Sequence, residues 1–148
     1  MVPGVDAAAG PRTSVDLVEL LTVTQRRVAR GVTTALAEDG ATLDSYRLLR
    51  SLAVAGRSMG ELVATLHLPA PTLTRLVDGA VDAALAYRLP DPADGRKVVV
   101  HLSEAGGIRL ERLEALVRAH EAALAGALGG ERVSALVRAL ADLAVAEG

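Results

Sequence analysis

The residues able to do chemistry are concentrated between Leu68 and Leu102. This stretch holds Arg75, Arg88, Arg96 and Lys97, set among Thr72, Thr74, Asp78 and Asp94. The chemistry on offer is recognition, not bond making. No Gly-rich phosphate loop, nucleophile–base pattern or paired-carboxylate frame is found, so no enzyme is expected. His67, His101 and His120 are far apart and fall on different elements, which argues against a metal site. No cofactor is expected. What remains is a short helix followed by a charged hairpin. That pairing has the shape of a DNA reader: a helix for the major groove and a β wing for the backbone or minor groove.

The elements around this stretch must position it. At 148 residues the chain is expected to fold as one domain. Half of it is apolar, with no Phe or Trp, so the core is built from Ala, Val and Leu, which suits closely packed helices. There is no Cys, which excludes disulfides and thiolate sites. No secretory signal and no membrane-spanning apolar run are found, so a cytoplasmic protein is expected. The net charge of −2 is unusual for a phosphate binder, although local distribution matters more than the sum.

Taken in order, residues 1–13 are rich in Pro, Gly and Ala and read as a loose tail. Thr13 or Ser14 caps a first helix that ends near Asp39-Gly40. A second helix runs from Leu43 to about Ala55, with Tyr46, Leu49, Leu52 and Ala53 on its buried side. Ser58-Met-Gly-Glu61 is a capping box that opens a third helix through Leu66. After a link from His67 to Ala70, Pro71 stands in the first turn of a fourth helix, which fades near Ala84. Leu73, Leu76, Val77 and Val81 are its apolar stripe. Ala86–Leu89 and Lys97–Leu102 read as strands around a turn, Pro90–Gly95. Ser103 caps a long fifth helix that stops at Gly129-Gly130, and a last helix runs from Glu131 to about Ala146.

Two stretches resemble the MarR family of winged helix-turn-helix transcription regulators. Pro71-Thr-Leu-Thr-Arg-Leu-Val-Asp78 looks like the family's recognition helix, and Arg88 through Gly106 looks like its wing and the start of its fifth helix. The resemblance covers about Leu43 to Leu113. It implies a mostly α fold with a small β wing and a helical dimerisation region. Residues 43–102 would be the DNA-binding lobe, and 14–42 and 103–148 the dimerisation helices of a single domain spanning 14–148. It implies a homodimeric repressor that binds a pseudo-palindromic operator in double-stranded DNA and is released by a small-molecule effector. Carried over residue by residue, Thr72, Thr74 and Arg75 would meet the major groove. Arg96 would reach the minor groove, with Asp94 orienting its guanidinium. Arg88 and Lys97 would touch phosphates or brace the wing. Backbone amides near Ser58 would add phosphate contacts.

The chain departs from the family at three points. Pro69 and Ala70 stand where a Ser-like cap and a basic residue are usual; Ala70 is read as the cap of the fourth helix. Gly79-Ala80 stands where Arg-Leu is common. From Asp44 to His101 there are seven basic and six acidic side chains. These features support a second reading: a relative with weakened or lost DNA binding that serves as a ligand-binding or protein-interaction dimer.

Overall fold

A computed structural model describes residues 15–146. Nine elements follow in chain order: α1 (Val15–Ala37), α2 (Leu43–Val54), β1 (Arg57–Ser58), α3 (Met59–Leu66), α4 (Ala70–Asp82), β2 (Ala86–Pro90), β3 (Val98–Leu102), α5 (Glu104–Leu128) and α6 (Gly130–Ala146). The fold is mostly α with a small antiparallel sheet, as expected. The loose tail and the Thr13 or Ser14 cap lie outside the described residues.

Local chemistry sets most helix ends. At the exit of α1, Gly40 takes a left-handed backbone, φ +69°. The Gly40 N–H donates to the Ala37 carbonyl, and the Ala41 N–H donates back to Leu36. These two bonds satisfy carbonyls that the helix end would otherwise orphan. Thr42 caps α2 with a box closed by Ser45, and Ser58 caps α3 with a box closed by Glu61. The Ser103 hydroxyl accepts from the Gly106 N–H and donates to the Ala84 carbonyl. It therefore both starts α5 and holds the turn before β2.

The sheet order is β1-β3-β2. β2 and β3 form the wing, registered Ala86 to Leu102 through Pro90 to Val98. β1 was not expected. Its two residues pair with Val99 and Val100, tying the start of α3 to the wing. β3 begins at Val98, one residue later than expected. The Lys97 N–H is taken by the Asp94 carbonyl, and the Lys97 carbonyl accepts from Asp91. Lys97 therefore closes the turn.

Two apolar clusters share α2. Leu48 and Leu52 join Leu62, Leu66, Leu73, Val77, Ala86 and Val100 in the core of the lobe. Tyr46 and Leu49 join Val32, Leu36, Leu110, Leu113 and Val117 between α1, α2 and α5. Residues three and four apart on a helix line adjacent faces, so one short helix couples both cores. Ala53, expected on the buried side, is exposed, and Leu48 takes that role.

The other end of the chain is different. α6 buries no residue, and Leu136, Leu140 and Leu143 are 40–48% exposed at helical spacing. Leu17, Leu20, Leu21 and Val23 of α1 are likewise exposed. An apolar surface of this extent marks a partner site. Among the described residues no helix is long and apolar enough to cross a membrane.

Candidate nucleic-acid interface

α4 starts without a side-chain cap. The cap position is Pro69, not Ala70, which is the first helical residue; Pro71 is the second. Pro69 supplies only its carbonyl, which accepts from the Leu73 N–H. Pro71 has no N–H to satisfy, so the open donors of this helix start are Ala70 and Thr72. Both residues are exposed.

Leu73 and Val77 anchor α4 in the core, and this turns Thr72, Thr74 and Arg75 to solvent. The Thr74 hydroxyl donates to the Ala70 carbonyl, 2.9 Å away. Its lone pairs and methyl group are what it can offer a base edge. Arg75 is the one cation of α4, and it makes no ion pair among the described residues. The pairing of Arg75 with Asp78 or Asp82, the plain alternative for an exposed helix cation, is not formed. Asp78 is bonded instead to Arg88 of β2. Of the two roles expected for Arg88, bracing is the one seen: it links the wing to α4. An exposed pair of this kind is worth under about 1 kcal/mol in stability, but it fixes the angle between two reading elements.

At the wing tip, Arg96 and Lys97 are exposed. Asp94 does not orient the Arg96 guanidinium. Its carboxylate accepts the Arg96 backbone N–H at 3.1 Å, and Asp91 does the same for Ala93 at 2.8 Å. Two Asx-type turns thus shape the hairpin and leave the guanidinium of Arg96 free to reach outward. At the start of α3, Glu61 occupies the Ser58 N–H and the Ser58 hydroxyl occupies the Glu61 N–H. The amides left for a phosphate are those of Met59 and Gly60.

Tyr46 lies in the core, whereas Tyr87 is exposed and stacks on His101 at 5.3 Å between ring centres. The three histidines sit on α3's C-cap, β3 and α5.

The recognised elements match known proteins in both sequence and shape. The sequence model of the MarR family matches residues 39–97, which hold α2 to the wing tip. Wild-type MarR from E. coli, without ligand, is 26% identical with a TM-score of 0.79; the match covers 88% of this chain and 98% of MarR. The chain belongs to the MarR family.

It is thus a transcriptional regulator with the family's DNA-binding winged helix. A mutant of E. coli MarR complexed with operator DNA is 26% identical, TM-score 0.75, covering 87% of this chain and 94% of that one. The transcriptional repressor CouR, bound to a 23-mer DNA duplex, is 28% identical, TM-score 0.77, covering 91% and 99%. No curated protein sequence matches the chain significantly.

Within this MarR-family frame, Gly79 and Ala80 have a place that spacing alone did not reveal. They line a cleft of about 310 Å³ between α2, α4 and α5, together with Arg75 and Arg109. A Cβ at Gly79 would meet nothing within 4 Å. Gly79→Ala is therefore expected to stabilise the fold by about 0.5–1 kcal/mol, the helix propensity gain, with no packing cost. Chemical denaturation would check this; a loss of stability would show that α4 needs Gly there.

Arg109 was not singled out from sequence either. Its guanidinium donates to the Asp39 carbonyl and stands 2.9 Å from the Asp39 carboxylate, tying α5 to the end of α1. The partners are 70 residues apart, so no local pattern announces the pair.

Proposed function

We propose that the protein is a homodimeric repressor, acting in the cytoplasm as a binding protein and not an enzyme, that occupies a pseudo-palindromic operator and leaves it when a small molecule binds. The observation that carries this is the braced pair of reading elements. α4 presents Thr72, Thr74 and Arg75 to solvent, and the Arg88–Asp78 bond holds the Arg96 wing to that same helix. The exposed leucines of α6 and α1 supply the apolar surface for a second copy. Dimer helices then set two α4 segments about one turn of DNA apart, roughly 34 Å. The relatives fit this reading: E. coli MarR has been solved on operator DNA, and CouR of Rhodococcus jostii both on a DNA duplex and with p-coumaroyl-CoA. An effector in the cleft would act by favouring one spacing of the two lobes over the other.

The test is fluorescence anisotropy with the upstream DNA of the gene, comparing the protein with Arg96→Ala. Loss of the wing cation should weaken binding by about 1–3 kcal/mol and leave thermal stability unchanged. Equal affinity would remove the wing from the interface. A second reading has its own observation: the start of α4 has no side-chain cap bond, and seven basic side chains of the lobe face six acidic ones. On that reading the dimer binds ligands or proteins and has lost its grip on DNA.

A further inference from the structure

The cleft beside α4 is walled by Leu48, Leu49, Leu76 and Leu113 and is opened by the small residues Gly79 and Ala80. Two cations reach it, Arg75 and Arg109. They are not equivalent. Arg109 is already neutralised by Asp39, whereas Arg75 makes no ion pair among the described residues. The cleft therefore offers an apolar wall and one uncommitted guanidinium. Its size, about 310 Å³, suits one or two fused rings. A planar fork of donors pairs best with a carboxylate, which it grips through two parallel bonds.

We propose that the cleft binds a small aromatic carboxylate, that Arg75 is its anion partner, and that this pairing withdraws from DNA the one cation of the recognition helix. The proposal rests on the reading of α4 as the DNA-contacting element. One guanidinium cannot serve a base edge and a carboxylate together, so ligand and operator compete for Arg75. This device needs no change in lobe spacing. Linkage makes it reciprocal: the factor by which ligand weakens operator binding equals the factor by which operator weakens ligand binding.

The probe is 2-naphthoate, read by its own fluorescence with the full-length protein and no DNA. Its neutral amide, 2-naphthamide, and the single-ring benzoate are compared. Naphthoate is expected to bind, with the amide about tenfold weaker, the worth of one charge-assisted contact. Arg75→Ala should lose about the same factor, and Arg75→Lys should recover part of it because the charge remains. Gly79→Leu should abolish binding by filling the cleft. Circular dichroism on each variant shows that it is folded. A second titration adds operator: naphthoate should lower the affinity of the wild type and leave that of Arg75→Ala unchanged.

Naphthoate binding that ignores Arg75, or no binding of either carboxylate up to about 10 mM, where even a −2.7 kcal/mol interaction still registers, overturns the proposal even if the operator is bound tightly. A protein that fails to recognise any operator but binds naphthoate through Arg75 upholds the cleft and its anion partner. That result overturns the competition, because it removes α4 from DNA.

Discussion

A chain carrying Leu136→Asp and Leu140→Asp is expected to run as a monomer of about 15.2 kDa, while the unaltered protein runs at twice that mass. Both leucines lie on α6, which buries nothing within its own chain. Within one protomer the substitution costs little, since the new carboxylates stay in water. In the dimer, two carboxylates from each copy would enter an apolar contact. Desolvating them without partners costs several kcal/mol, so dimerisation should weaken by about a thousandfold or more, roughly 4 kcal/mol. Operator affinity should fall with it, because a monomer holds one half-site. Light scattering at micromolar concentration reads the first effect and anisotropy the second. If the variant stays dimeric, α6 does not lie in the interface, and the exposed leucines need another partner.

The second large effect concerns Gly106. An added Cβ there would sit 2.0 Å from the backbone oxygen of Leu85 and 2.7 Å from Leu102 Cδ1. Backbone cannot swing aside as a side chain can. Gly106→Ala should force α5 away from the segment entering β2, at a cost of about 3 kcal/mol, the upper range for overpacking. For a chain of this size that lowers the melting temperature by roughly 10 °C. Gly107 is the control. Nothing lies within 4 Å of a Cβ there, so Gly107→Ala should be neutral or stabilising by up to about 1 kcal/mol. Two adjacent glycines with opposite responses would place the close contact on Leu85. Equal responses would show that helix propensity, not packing, governs both.

Helix starts and stops were largely legible in the sequence, because each depends on residues a few places apart. Ser58 with Glu61, Ser103 with the amide of Gly106, and Gly40 after α1 all act where their patterns place them. The recognition helix and wing were legible for the same reason, as local strings of turn residues and apolar stripes. What escaped notice depends on distance in the chain. The two residues of β1 become a strand only through β3, some forty positions on. Asp78 pairs with Arg88 only because the wing folds back onto α4. Arg109 meets Asp39 across the junction of α1 and α5. Gly79 reads as a flaw in a helix until the cleft beside it is known. Asp94 shows a subtler limit. Its place at the wing tip was clear, but whether a carboxylate takes a guanidinium or the backbone N–H of the same residue is decided by the turn itself.

The central claim is that this lobe reads DNA despite its nearly even charge. The measurement that tests it most directly is titration of the purified protein against the DNA upstream of its own gene, and against random DNA, at two salt concentrations. The account predicts selective binding that falls steeply with salt, with a slope reflecting several phosphate contacts per dimer. Binding no tighter than to random DNA would contradict it, and the uncapped helix and near-neutral lobe would then mark a dimer that serves other partners.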